Sequence, residues 1–241
     1  MGIITFNGVS SESLGIKVWT FPNYEVPEKE IQMIHVPGRS GDIAIDLDSY
    51  KNVERSYQVS LYDRTKSFAE LGRILSNWLH SANGYAELSD TYEAGFYRLA
   101  TCAEEVTFDN ILNQAVTATI TFNCKPQRYS TAGASAISIG ASTTLSNPYN
   151  TIARPEIKVV GNGTFTINGV TTSITGNAGT TLYIDSELQD VYYYSGTTLM
   201  NGNSRVSFAN GKFPVLNATS NNTVSKSGLS SMEVKPKWWT I

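Results

Sequence analysis

Residues 65–84 read TKSFAELGRILSNWLHSANG, and this stretch has the clearest periodicity in the chain. Its apolar residues follow one another at steps of three and four, which places them on one face of an α-helix. They are Phe68, Leu71, Ile74, Leu75, Trp78 and Leu79. Ser67 and Glu70 have the spacing of a capping box, and Asn83-Gly84 predicts a left-handed stop. The sequence thus predicts one amphipathic helix and offers no second one of comparable strength.

Both flanks of this helix have the alternation of β-strands. Residues 57–61 read YQVSL and residues 116–122 read VTATITF, so apolar side chains recur at every second position. That period places them on one face of a half-buried strand. Predicted strands and helices do not alternate regularly in this part of the chain. The first half is therefore predicted to be an α+β domain with one amphipathic helix.

The amino-acid composition changes after Arg128. Residues 130–155 are mostly small and polar, which marks a domain boundary near Tyr129. We therefore predict an N-terminal domain of residues 1–128 and a C-terminal domain of residues 129–241. The first half has 11 Lys/Arg and 16 Asp/Glu residues, a net charge of −5, whereas the second has 7 and 5, a net charge of +2.

The second half consists of short alternating segments separated by Gly- and Asn-rich turns. Asn168-Gly169 lies in one of these turns and is the strongest short-range signal of a hairpin. Six or more short strands in such a segment predict a β-sandwich, and the chain as a whole is predicted to be mainly β. The predicted strands are Glu156–Val160, Thr164–Ile167, Thr181–Ile184, Asp190–Tyr194, Ser204–Phe208 and Met232–Trp238.

The composition narrows the possible functions. Hydrophobic residues make up 41% and aromatic residues 11% of the chain, which excludes a disordered protein. A net charge of −3 and a pI near 5.5 argue against a dedicated nucleic-acid binder. No apolar run is long enough to span a membrane. Met1–Phe6 lacks the features of an export signal, so we expect thiols at Cys102 and Cys124 in a reducing cytoplasm, with a disulfide between them left open.

Few residues could form a catalytic constellation. His35 and His80 are the only histidines, and each is better explained as a residue at the end of a strand or helix. Asp185, Glu187 and Asp190 cluster where a strand gives way to a turn, which is more typical of loop charges than of a hydrolytic carboxylate pair. The sequence therefore predicts no enzyme activity, no cofactor and no metal site.

The aromatic runs have two explanations. In a strand, alternate members of Tyr192–Tyr194 face opposite sides, so packing accounts for part of the run. Trp238-Trp239 at the C-terminus follows the same logic. We expect packing and contacts between subunits to explain these residues better than sugar binding does.

An ordered set of short motifs resembles one known family. His35–Asp42 reads HVPGRSGD; an Asn7-Gly8 turn precedes it and the Trp78-Leu79 helix end follows it. In the second half, Phe213-Pro214 and the closing run Lys235–Trp239, KPKWW, come in the corresponding order. Together these motifs resemble the distal tail protein family of siphophages over most of the chain. One departure is the run NATSNN at residues 217–222, where the family often has a Gly-Asn turn, and it leaves the geometry of that turn open.

The resemblance implies an architecture and a role. The N-terminal domain would form a ring, with six copies closing into a hub beneath the tail tube, and the C-terminal domain would be a galectin-like β-sandwich. The partners would be other copies of the chain, the tail tube protein, tail-associated or tape-measure proteins, and receptor-binding or baseplate proteins. No specific nucleic acid and no membrane would be bound. The protein would be made in the cytoplasm of the bacterial host and reside at the tail tip of the virion.

The loop between His35 and Asp42 is the candidate subunit interface. Its residues are Val36, Pro37, Gly38, Arg39, Ser40 and Gly41. Arg39 could donate two hydrogen bonds to a carboxylate of a neighbouring copy, while the plainer alternative is a glycine-flanked turn beside a strand. Two other functions stay open for the whole chain: a carbohydrate-binding β-sandwich that recognises the host cell wall, and a tube subunit that polymerises.

Overall fold

The chain divides into two compact units. The computed structural model describes residues 2–102, 104–111, 115–177 and 179–241. The first unit is Met1–Arg128 together with Ile241, and the second is Tyr129–Thr240. The protein is mainly β, as the sequence predicts, and the described residues include one α-helix, α1, at Phe68–Leu79.

The first unit is built on a curled antiparallel sheet. The strands are β1 Ile4–Phe6, β2 Val9–Ser10, β3 Ile16–Val18, β4 Lys29–Ile34, β5 Ile43–Tyr50, β6 Val53–Tyr62, β7 Ala86–Asp90, β8 Phe96–Thr101, β9 Asp109–Ile111 and β10 Ala115–Cys124; β11, Arg128–Ser130, crosses the boundary between the units. Seven strands follow the order β2-β1-β7-β8-β10-β6-β3, β9 pairs with β10, and β4 pairs with β5 in a separate sheet. A bridge joins Gly2, just before β1, to Val18 of β3.

The long strands β6 and β10 form the floor of the core. They pair along their full length, from Ala115 opposite Tyr62 to Cys124 opposite Val53. Both alternate between buried and less buried residues, as the sequence predicts. Each large apolar side chain that leaves water here contributes about 1.5–3 kcal/mol. Cys102 and Cys124 are buried free thiols, and burial raises the pKa of Cys124 to about 12.

Helix α1 covers this floor. Leu71, Leu75, Trp78 and Leu79 are buried and belong to the same core as the strands. The predicted capping box is present, because the Glu70 carboxylate accepts the Ser67 N–H at 2.8 Å. The predicted stop is wrong by one turn.

The helix ends at Leu79, and His80 is its C-terminal cap. The His80 N–H donates to the Ser76 carbonyl at 3.0 Å, and its Nδ1 lies 2.9 Å from the same oxygen. Gly84 has the expected positive φ of 106° but lies in the following bend, before β7. The interpretation of His80 as a helix-end residue agrees with these contacts.

The second unit is a sandwich of two antiparallel sheets. One sheet has the order β12-β22-β14-β17-β18-β19 and the other β13-β21-β15-β16-β20. Side chains from both sheets form one apolar core. The strands are β12 Ile137–Ser138, β13 Ser142–Asn147, β14 Glu156–Val160, β15 Gly163–Ile167, β16 Val170–Ile174, β17 Thr181–Asp185, β18 Asp190–Ser195, β19 Thr198–Asn201, β20 Val206–Phe208, β21 Ser220–Ser227, β22 Ser231–Lys235 and β23 Trp239–Thr240.

Several strand limits in this unit differ from the predicted ones. A 3-10 helix, Asn203–Arg205, replaces the start of the predicted strand Ser204–Phe208. The predicted strand Met232–Trp238 stops at Lys235, because Lys237 has a φ of 54° that a strand does not allow. The Asn168-Gly169 turn is confirmed: both residues have positive φ, 50° and 82°, as a type I′ hairpin requires.

Candidate functional site

The hairpin β4–β5, with its connecting loop, is the part of the first unit that is least covered by the rest of the chain. We call it the arm, residues 29–50. Its two strands pair with each other, and no other strand in the described part of the chain extends their sheet. The register places Ile34 opposite Ile43 and Gln32 opposite Ile45. Isolated two-stranded hairpins are marginally stable in water, so the arm is expected to rest against something else.

Both faces of the arm are apolar and exposed. Because side chains alternate along a strand, Ile34, Ile43, Ile45 and Leu47 share one face, and Ile31 and Met33 lie on the other. Their exposed fractions run from 37% for Ile43 to 63% for Met33. Contiguous apolar surface of this kind marks an interaction site in a soluble protein.

Polar contacts hold the base of the arm. Lys51 donates its backbone N–H to the Glu28 carbonyl and its ammonium to the Glu28 carboxylate, both at 2.9 Å. Within the arm, Lys29 pairs with Asp46. Exposed ion pairs contribute little, about 0–1 kcal/mol each, so they add little to the stability of the arm.

The predicted interface loop, Val36–Gly41, forms the tip of the arm. Arg39 donates its N–H to the Val36 carbonyl at 3.2 Å, and both Gly38 and Gly41 have φ near +80°. His35 and Asp42 close the loop with an Nδ1–Oδ1 distance of 3.2 Å. The loop is thus a glycine turn between two strands, and the side chain of Arg39 is exposed.

The extended segment that leads into the arm is also apolar on its outer side. We call residues 19–28 the strap. Trp19, Phe21, Tyr24 and Val26 are all more than half exposed. Phe21 nevertheless packs on the ring of Tyr92, with ring centroids 4.2 Å apart, so the strap follows the surface of the unit.

A buried acid–base cluster lies in the first unit. Asp90 Oδ2 accepts hydrogen bonds from Arg55 Nη2 at 2.9 Å and from the Tyr57 hydroxyl at 2.5 Å. Its Oδ1 accepts the backbone N–H groups of Tyr92 and Glu93, each at 2.9 Å. Breaking such a buried pair from one side typically costs about 3–5 kcal/mol. The sequence does not predict this cluster, because residues 55 and 90 are distant in the chain and their spacing does not indicate a contact.

The strap is attached to the same cluster. Arg128 lies over the ring of Tyr24 at 4.0 Å and donates to the Glu25 carbonyl at 3.1 Å. Arg128 Nε is 3.3 Å from a carboxylate oxygen of Glu93. Burial raises the pKa of Glu25, although the charges of Arg55 and Arg98 partly offset it.

The carboxylates of Asp185 and Glu187, which the sequence favours as loop charges over a hydrolytic pair, have a structural use. Asp185 and Glu187 both pair with Lys237, at 3.0 and 3.4 Å. Asp185 Oδ1 also accepts the N–H groups of Glu187 and Leu188. Burial would lower the pKa of Lys237, but the hydrogen bond and charge of Asp185 raise it overall. Lys237 thus bridges the two carboxylates.

The tyrosine run also serves packing. Tyr192 stacks on Tyr183 with ring centroids 5.3 Å apart, and Tyr194 meets both rings edge-on at 5.9 Å. Tyr193 faces the other way, with Arg205 3.8 Å over its ring. The rings of Tyr183, Tyr192 and Tyr194 therefore contact one another, which is the packing role expected for part of the run.

One cavity of about 180 Å³ opens on the second unit. Its walls mix aliphatic and aromatic side chains, among them Val170 and Phe213, with the polar Thr172, Asn210 and Lys212. It leaves room for a small ligand. No group of three or more metal-ligating side chains is found in the described ranges, and none of the helices there could cross a bilayer.

Comparisons with known proteins bear on this arrangement. No protein-family model matches the chain, and no curated protein sequence does so. The solved structures that resemble it include the Dit (gp 19.1) protein of SPP1, a paradigm of the hub adsorption apparatus in phages that infect Gram-positive hosts. That structure has a TM-score of 0.71 and 12% sequence identity, and the match covers 100% of both chains.

Two baseplate structures are similar as well. They are those of the phage P2 baseplate in its activated conformation with Ca and with Sr, with TM-scores of 0.59 and 0.58 and 10% identity in each case. The matches cover 97% of this chain and 97% and 96% of the others. The chain therefore has the fold of phage hub and baseplate proteins, and the resemblance noted in the sequence is confirmed at the level of the fold.

Proposed function

We propose that the chain is a structural subunit of the hub at the distal end of a long, non-contractile phage tail, where six copies close into a ring. The observation that carries this proposal is the arm, whose two apolar faces are left open by the chain that makes them. The likeness over the full length of the SPP1 hub protein supports the same role.

The partner of the arm is proposed to be a second copy of the chain. A contact between two different surfaces of identical subunits generates a closed ring when the rotation between them closes. The arm supplies one apolar surface, and the outer side of the strap, with Trp19, Phe21 and Val26, supplies another on the same unit. Arg39 at the tip would then reach a carboxylate of the neighbour, with which it can form a bidentate pair.

The remaining roles follow from the position of such a ring. The hub would join the tail tube protein and the tail-associated or tape-measure proteins to receptor-binding or baseplate components. It would be a non-enzymatic part of the virion tail, assembled in the host cytoplasm. The use of Asp185 and Glu187 as partners of Lys237 supports a structural role for this chain.

The arm can be tested by removing its apolar face. We expect the double variant Ile43→Ser/Ile45→Ser to lose the ring, so that light scattering gives a mass near the 26.3 kDa of one chain instead of about six times that value. Ile152→Ser is the matched control, since Ile152 is an exposed isoleucine of the second unit. A double variant that keeps the mass of the native protein would contradict the proposal.

A second candidate function rests on the cavity of the second unit. A mixture of apolar wall and polar rim suits a saccharide, which would make this unit a carbohydrate-binding module for the host cell wall. Glycan-array binding by the full chain that disappears in Phe213→Ala, but not in Phe21→Ala, would favour this function. An absence of glycan binding in the native protein would leave the hub role as the better account.

A further inference from the structure

The cavity of the second unit has a buried hydroxyl in its wall. The cavity lies between the β15–β16 hairpin and residues 209–217, which connect β20 to β21. Thr172 lines it and is 1% exposed, and the register places Thr172 between Phe165 and Phe208, so no polar side chain lies directly opposite it. Among the described residues, the Thr172 hydroxyl forms no hydrogen bond. Water satisfies such a group in a free protein, and a hydroxyl of a ligand can take the place of that water.

Most of the remaining wall is apolar. Val170, Phe213, Pro214 and Val215 line the cavity, and the two valines are exposed. Phe213 packs on Phe208 with ring centroids 4.6 Å apart, which holds its ring in place. An apolar cavity of about 150 Å³ can hold one six-membered ring, so a volume of about 180 Å³ suits a single sugar ring. The carbon–hydrogen face of that ring would pack on these walls, and its hydroxyl groups would face the polar side chains.

The acidic residues of the second unit are confined to one of its two sheets. Four of the five lie on strands of the six-stranded sheet, and the fifth lies in the turn between β17 and β18. These five residues are Glu156, Asp185, Glu187, Asp190 and Glu233. Residues 191–232 contain no acidic residue, whereas Arg205, Lys212 and Lys226 lie within this range. A surface with charges of one sign attracts ligands of the opposite sign.

Lys212 brings one of these positive charges to the cavity. None of the residues that line the cavity is acidic. The backbone N–H of Lys212 donates to Asn210 Oδ1 at 3.1 Å, and Gly211 between them has a φ of 67°, so a tight turn fixes where the lysine side chain begins. In the described part of this unit the ion pairs involve Lys158 and Lys237, and no carboxylate pairs with Lys212. Its ammonium therefore favours a ligand with a negative group.

We propose that this cavity binds an acidic saccharide, in which one sugar ring packs on the apolar walls and a carboxylate or phosphate group contacts Lys212. The Thr172 hydroxyl would form a hydrogen bond with a hydroxyl of the same ring. This inference rests on the second candidate function, to which it adds the charge of the ligand. The site lies within the second unit and does not depend on the ring of subunits.

Sugars that differ in a single group test the charge of the ligand. Glucuronate and glucose 6-phosphate share the ring of glucose but carry a carboxylate or a phosphate, and galacturonate compares with galactose in the same way. In ligand-observed NMR with the full chain at low salt, at least one acidic sugar should bind about two- to fivefold more tightly than its neutral parent, the range of an exposed charge pair. Added salt should reduce this preference. Neutral sugars that bind as tightly as the acidic ones would overturn this inference and leave the saccharide function standing, whereas binding of none would overturn both.

Two variants test the residues themselves. Lys212→Gln should abolish the preference for acidic sugars, while Lys226→Gln, which changes a lysine of β21 that does not line the cavity, should retain it. Thr172→Val should weaken binding of every sugar by about two- to tenfold, the effect of one hydrogen bond. It should not lower the melting temperature, because the hydroxyl has no partner among the described residues of its own chain. A preference that survives Lys212→Gln would overturn the proposal, and unchanged affinity of Thr172→Val together with a lower melting temperature would overturn the role of Thr172.

Discussion

The molecule contains two hairpins that resemble each other in local structure and differ in surroundings. The β15–β16 hairpin turns at Asn168-Gly169 and lies inside the sandwich, with Phe165, Ile167 and Ile174 buried. The arm, β4–β5, has equally apolar side chains and a glycine turn, yet its faces are open. Both hairpins thus have paired backbones. They differ in whether the rest of the same chain covers their apolar side chains. The uncovered hairpin is the one that we assign to a neighbouring copy.

The largest expected difference between the hairpins is in folding stability. Phe165→Ala should lower the free energy of unfolding of the second unit by about 3–5 kcal/mol, because it leaves a cavity in a packed core. Met33→Ala, on the arm, should change the stability of the dilute monomer by less than about 0.5 kcal/mol, since Met33 is 63% exposed. Urea unfolding followed by fluorescence measures both. Similar losses would mean that the arm is covered within its own chain.

Glycines with the same backbone conformation should behave differently in the two hairpins. Gly169 and Gly38 have φ values of 82° and 81°, and nothing lies within 4 Å of a Cβ added at either position. Alanine in the left-handed region costs about 1–2 kcal/mol. We expect Gly169→Ala to lose this amount in urea unfolding, because the surrounding sheet holds the turn in place. Gly38→Ala should leave the unfolding curve unchanged, since the tip can relax. An equal loss in both variants would show that the tip is rigid.

Removing the proposed contact of Arg39, at the tip of the arm, should have a smaller effect, and this effect is on assembly. If Arg39 binds a neighbour's carboxylate, Arg39→Ala should weaken each subunit contact by about 1.5–3 kcal/mol, as for hydrogen bonds to charged groups. Light scattering at low micromolar concentration should then give a reduced hexamer fraction. Arg73→Ala, at an exposed position on α1, is the control. An unchanged mass for Arg39→Ala would remove the tip from the interface.

The smallest effect concerns the strap from which the arm starts. The pKa of Glu25 is raised by burial above its ordinary value of 4.5, so the folded state holds this proton more tightly than the unfolded state does. Stability contributed by Glu25 therefore increases as pH falls through the folded pKa towards 4.5, and is lost as pH rises. Glu25→Gln should be more stable than the native protein at pH 8, and the difference should shrink towards pH 5 in urea unfolding. A difference that is constant with pH would contradict this assignment.

Parts of this fold were predictable because local periodicity and tertiary packing agree. The helix, β6, β10 and the Asn168-Gly169 hairpin orient the residues that their patterns select towards the core, although Phe68 and Ile74 of the helix are only partly buried. The arm shows the limit of that logic. Residues 43–48 read IAIDLD and alternate as a half-buried strand should, but Ile43, Ile45 and Leu47 are exposed. Alternation reveals an apolar face and does not reveal which chain covers it.

Buried polar residues also form elements that the sequence pattern does not predict. Strand β21, SNNTVSKS, has little apolar alternation, yet Asn222 in it is fully buried. Its side-chain amide donates to the carbonyls of Leu145, Asn217 and Ser220, and its Oδ1 accepts the Asn217 N–H at 2.7 Å. This one amide organises the turn whose geometry the sequence left open. Such a role depends on contacts between distant residues, as does the Arg55–Asp90 pair.

The closure of a ring through the arm is the central claim, and electron microscopy of the purified full chain tests it most directly. Negatively stained particles of the native protein should give class averages with sixfold rotational symmetry, and Ile43→Ser/Ile45→Ser should give single small particles. Native particles that remain monomeric, or that grow into open filaments, would contradict the account.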